Sequence, residues 1–152
     1  MLTPFLAAPG IASAKDATIL ARCGPSTGRS FYFEGGFVPP GRGGWRDDGI
    51  SDGRLTFLIN DHDQLDILSK DAANPLQSYL KEGYKLTVVQ VDPKSRTIII
   101  NATGSMASET YQIRTNEMGL GTLVWTQSKT TNAITKTAVM QAECGPQYTI
   151  AP

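Results

Sequence analysis

Carboxylates are the side chains with the most chemical potential in this sequence, and they crowd into one region: Asp47, Asp48, Asp52, Asp61, Asp63 and Asp66. Acids at that density have two familiar uses. Two carboxyl groups facing each other across a cleft can hydrolyse a glycosidic bond, their separation setting the mechanism. A glycine-bearing acidic loop can instead supply oxygen ligands to calcium. The run Asp47-Asp48-Gly49-Ile50-Ser51-Asp52-Gly53 has that composition but departs from the EF-hand pattern, which requires D-x-[DN]-x-[DN]-G and a later Glu. Asp/Gly turn chemistry ahead of a strand accounts for the same residues, and no metal is assigned. The single histidine, His62, sits in Asn60-Asp61-His62-Asp63. Nucleophilic catalysis needs a histidine oriented by a third group and close to a Ser or Cys, and a polar hairpin tip is a poor place to build that. No catalytic residue is assigned.

A binding surface is the better use of the same stretch. Phe37, Arg42, Trp45 and Arg46 stand beside Asp47, Asp48 and Asp52 in a segment rich in Gly and Pro, Phe37 to Gly53. Aromatic and Arg side chains dominate binding hot spots, and long loops on a rigid scaffold commonly carry function. These seven residues form the candidate site for a ligand or partner. Trp45 has a competing structural use as a plug over one end of the core, and Trp125, flanked by Leu123 and Val124, reads as a core residue. Gly41-Arg42-Gly43-Gly44-Trp45 lacks the Lys-Ser/Thr and the following helix of a phosphate-binding loop. Asn101-Ala102-Thr103 fits the glycosylation pattern and matters only in a eukaryotic secretory route.

The only two cysteines lie in matched tripeptides, Cys23-Gly24-Pro25 and Cys144-Gly145-Pro146. Joined, they close a loop of about 120 residues, worth roughly 4–5 kcal/mol by the chain-entropy relation. A disulfide implies an oxidising compartment. Residues 1–14 agree with export: they are apolar and small, and Ala12-Ser13-Ala14 has the A-x-A form of a signal-peptidase site, although no Lys or Arg precedes Lys15. They read as the tail of a signal peptide or a loose arm, with one domain over 15–152. The expected location is periplasmic or extracellular. No stretch offers the roughly 20 apolar residues of a transmembrane helix.

The elements that must position these residues read as strands. The chain has 152 residues, 40% hydrophobic and 8% aromatic, with 15 Gly and 9 Pro, a composition for one turn-rich all-β domain. Fourteen basic residues balance fourteen acidic ones, which removes any broad attraction to nucleic acid. Strands are expected at 17–21, ending at Cys23-Gly24-Pro25, and at 29–33, 54–59, 64–68, 84–91, 96–102, 108–114, 122–128 and 134–144. One or two helical turns are expected near 75–82, between Pro75 and Gly83. Residues 37–53 are expected to be irregular throughout. The pattern is an antiparallel meander of about nine strands forming a barrel or a sandwich, with first and last strands adjacent.

The reading that results is a small exported β protein, a monomer without cofactor, that engages a protein or a small ligand through loops at one end, as a secreted inhibitor would. Two other classes compete with it. One is a hydrolase using the carboxylates of 47–66, which requires two of them facing each other. The other is a purely structural or interaction protein. A ligand-sized apolar cavity would favour small-ligand binding.

Overall fold

The computed structural model describes residues 16–72 and 74–149; the signal-like segment 1–14 lies outside them. Ten strands form: β1 (Thr18–Tyr32), β2 (Gly44–Ile50), β3 (Arg54–Ile59), β4 (Leu65–Lys70), β5 (Gln77–Ser78), β6 (Lys85–Asp92), β7 (Thr97–Thr103), β8 (Ala107–Thr115), β9 (Gly121–Thr130) and β10 (Thr135–Cys144). All ladders are antiparallel, and the strands run β5-β4-β3-β1-β10-β9-β8-β7-β6, with β2 pairing β1 beside this path. The second half of the chain is thus a plain meander, β6 to β10. The first half fans out from the other edge of β1. The sheet curls into a half-barrel, which brings Phe57 of β3 within 5.2 Å, ring to ring, of Tyr111 on β8. Its two ends are linked by the turn between β5 and β6, where Tyr79 and Tyr84 pack at 4.5 Å.

Cys23 pairs directly with Cys144 across the β1–β10 ladder, and the two are disulfide-bonded with Cα atoms 3.9 Å apart. The bond therefore staples the one ladder that joins the two halves of the sheet. Cys144 closes β10 as expected, but Cys23-Gly24-Pro25 does not end a strand: β1 continues through it for 15 residues. The register with β10 jumps from Cys23↔Cys144 to Ser26↔Ala142, so Gly24 and Pro25 oppose Glu143 alone. Proline has no N–H for the ladder, and a bulge is where a strand can accommodate it. On the other edge, β3 pairs with β1 up to Cys23 and β2 resumes at Ser26. The turn 51–53 bridges the same gap. The bulge also switches pleat parity, so that Ala21 and Cys23 face inward before it, and Ser26 and Ser30 after it.

The inner face is the core. Alternate residues of β8 (Ala107, Glu109, Tyr111, Ile113), β9 (Leu123, Trp125) and β10 (Ala138, Met140, Ala142, Cys144) are buried against Phe57, Ile67, Ile100 and Ala102. Gly28 on β1 lies so close to β10 that a Cβ there would stand 2.1 Å from the Val139 carbonyl oxygen.

Two local expectations change. Residues 44–50 are not irregular: they form β2, because cross-strand partners on β1 outweigh the low β-propensity of their glycines. Trp45 packs on Phe31 at 5.6 Å, and the loop that remains, 33–43, is pinned by mutual backbone hydrogen bonds between Gly35 and Val38. In 75–82, Gln77–Ser78 become a short strand, followed by a single turn of helical pitch. There the Glu82 N–H donates to the Ser78 carbonyl, and the N–H groups of Gly83 and Tyr84 donate back to Leu80 and Tyr79. This is the Schellman pattern, with Gly83 at φ +83° in the left-handed position. The two hairpin tips Asn60–Gln64 and Asn116–Leu120 share one design. In each, the Asn side chain accepts from the N–H groups two and four residues on.

Candidate functional site

The pleat of β2 divides the residues expected to act together. Trp45 and Asp47 lie on the outer face, where Arg29 sits 3.4 Å from Asp47 and 5.8 Å from the Trp45 ring. Trp45 is 52% exposed and Phe37 79%, so neither plugs the core. Trp45, Val124 and Val139 edge a shallow apolar groove on this side. Arg46 and Asp48 lie on the inner side. The Arg46 guanidinium stacks 5.5 Å over Tyr32 and donates to the Arg42 carbonyl at 2.6 Å. Asp52 is apart from both sets, in the turn at 51–53. A calcium loop through Asp47, Asp48 and Asp52 has no geometry here, because adjacent residues of a strand point to opposite faces.

Asp48 is a fixed structural acid. It accepts from Ser30 Oγ at 2.5 Å and from Lys136 Nζ at 2.8 Å, and its other oxygen accepts from the Gly49 N–H. Burial pushes its carboxyl up, but the hydrogen bonds from Lys136 and Ser30 and the lysine's charge outweigh that and hold it below the ordinary 3.8. Asp66, also buried, accepts from Ser78 Oγ and from the backbone N–H groups of Ile67 and Leu80. Asp61 is 3.8 Å from an exposed His62. Asp47, Asp48 and Asp66 are each engaged by a different set of groups.

Sequence reasoning missed the acid that matters most. Glu109 projects inward from β8 and is 3% exposed. Its position is dictated by alternation, because Glu109 is in phase with Tyr111 and Ile113, and that phase was the available signal. Glu109 stands opposite Gln127 on β9. It accepts hydrogen bonds from the Gln127 amide and, at 2.5 Å, from the Tyr111 hydroxyl. The Tyr79 hydroxyl lies 3.1 Å from that of Tyr111. With the Tyr111 proton committed to Glu109, Tyr79 is the donor between them. Burial, then the charge of Glu109, keeps Tyr79 and Tyr84 above the ordinary phenol value; burial does the same to Tyr111, reinforced by Tyr79 and Glu109. All three hydroxyls remain protonated at neutral pH.

This chain of polar groups borders a hollow of about 510 Å³ in the concave side of the sheet. Trp125, Tyr79 and Tyr84 supply aromatic walls, Arg54, Lys70 and Lys129 bring positive charge, and Asp71 and Glu82 bring negative charge. Ser26 Oγ, on the same wall and 4% exposed, is a buried side-chain atom without a hydrogen-bond partner. Buried polar groups are nearly always satisfied; this oxygen is the exception, and it is closed off from solvent. The hollow is not the largely apolar cavity that would by itself favour a small-ligand binder. No family model, curated protein or solved structure matches this chain.

Proposed function

We propose that this is an exported binding protein whose ligand site is the concave hollow, not the loop surface around Phe37 and Trp45. The observation that carries this reading is the convergence of Glu109 and Gln127 with the rings of Tyr79, Tyr84 and Trp125 on one space of about 510 Å³. Ligand sites commonly measure about 300–1,000 Å³, and the walls here set the rings of Trp125, Tyr79 and Tyr84 among polar and charged side chains. Export rests on the disulfide, which belongs to oxidising compartments. Among the described residues no helix is long and apolar enough to cross a membrane. The reading involves no chemical step, and it is supported by the separate contacts that occupy Asp48 and Asp66.

The two tryptophans report on opposite faces, which makes the test direct. In an NMR screen of small polar compounds, the Trp125 indole N–H and the Gln127 side-chain amide should shift while the Trp45 indole stays still. Shifts confined to Trp45 would move the site to the outer face and overturn the proposal. They would favour instead a protein partner on the groove edged by Trp45, Val124 and Val139, the reading that the exposed aromatics there support.

A further inference from the structure

The charge state of the hollow's wall goes further than its size. Glu109 is a buried carboxylate whose two side-chain partners, Tyr111 and Gln127, are both neutral. It has no ion-pair partner among the described residues. Asp48, the other inward-facing acid beside Trp125 and Gln127, has its counter-charge in Lys136. Burying an acid is costly unless it is paired as well as hydrogen-bonded. At Glu109 the pairing half is left open toward the hollow.

We infer that the hollow takes a small organic cation, an ammonium or guanidinium head that docks on Glu109 between the rings of Tyr84 and Trp125. Two features point the same way. A carboxylate oxygen has lone pairs beyond the one hydrogen bond each oxygen of Glu109 already accepts, and an N–H donor can use them. The aromatic walls favour positive charge over their faces. The positive side chains of the lining, Arg54, Lys70 and Lys129, lie outside ion-pair distance of Glu109 and repel a cation that stops short of it. They offer attraction to any acidic group the same ligand carries.

This inference rests on the hollow being the binding site, and the test separates the two. Benzylamine, tyramine and agmatine, protonated at pH 7, are titrated against benzyl alcohol and benzoate, and binding is followed by NMR. The amines should bind at least about tenfold more tightly than benzyl alcohol, the size expected of a charge-assisted hydrogen bond. Glu109→Gln should bring that ratio close to one. If this variant does not fold, the Glu109 side-chain carboxyl 13C shift in the wild type carries the assignment, moving with benzylamine and not with benzyl alcohol. Benzyl alcohol or benzoate binding as tightly as the amines, with the Trp125 indole shifting, overturns the cation and leaves the hollow standing. No shift at Trp125 with any probe at millimolar concentration overturns both.

Discussion

Replacing both cysteines, Cys23→Ala with Cys144→Ala, isolates the contribution of the staple. The two residues are 121 positions apart in sequence, and the loop-entropy relation for that length gives about 5 kcal/mol at 25 °C. The thiols are buried, so truncating them to Ala adds a small packing loss in the same direction. For a domain of this size the total corresponds to a melting temperature lower by about 10–20 °C. Urea unfolding, followed by Trp fluorescence, should show a lower midpoint and a steeper dependence on denaturant, because the unfolded chain without the cross-link exposes more surface. The wild type in reductant should fall between the oxidised wild type and the variant, the last gap being the packing loss. A loss below about 1 kcal/mol with an unchanged slope would refute the reasoning. It would mean that the β1–β10 ladder holds the unfolded ensemble together without its covalent clip.

Two further outcomes follow from other contacts. Asp48→Asn should flatten the acid limb of the stability curve. The folded carboxyl lies below its ordinary 3.8, so its contribution is present above that value and disappears as pH falls through the folded one; urea midpoints measured from pH 5 to 2 should fall less in the variant than in the wild type. Gly28→Ala should cost about 1–3 kcal/mol, because the new methyl has to push β10 away at Val139 and Met140, and amide exchange should quicken along that ladder first.

Most strands were legible from their β-branched and aromatic content, and Ala107–Thr115 from a clean period of two as well. Arg54–Ile59, Thr97–Thr103 and Ala107–Thr115 lie within a residue or two of where their β-branched and aromatic residues put them. Two stretches resisted for different reasons. Gly44–Ile50 has little β-propensity of its own and becomes a strand through tertiary contacts with Arg29, Ser30 and Phe31, which adjacency in sequence cannot show. In Thr18–Tyr32 the bulge at Gly24-Pro25 changes the alternation partway, so one long strand resembles two short ones. The candidate site was legible in part. The loop aromatics stood out by composition, while Glu109 looks like any polar residue until its phase with Tyr111 and Ile113 is counted. The closeness of Tyr79 to Tyr111, 32 residues on, depends on the curl of the sheet and has no local signature.

The position of the disulfide also decides how the protein carries load. β1 and β10 are antiparallel with Cys23 opposite Cys144, so the chain enters and leaves the sheet on the same side of the bond. A pull on the two ends first peels Thr18–Arg22 from β3 and then meets the covalent link, which shields the rest of the sheet. Oxidised, the domain is a short inextensible link. Reduced, it opens pair by pair from that same edge, and the chain it releases can lengthen by roughly 400 Å.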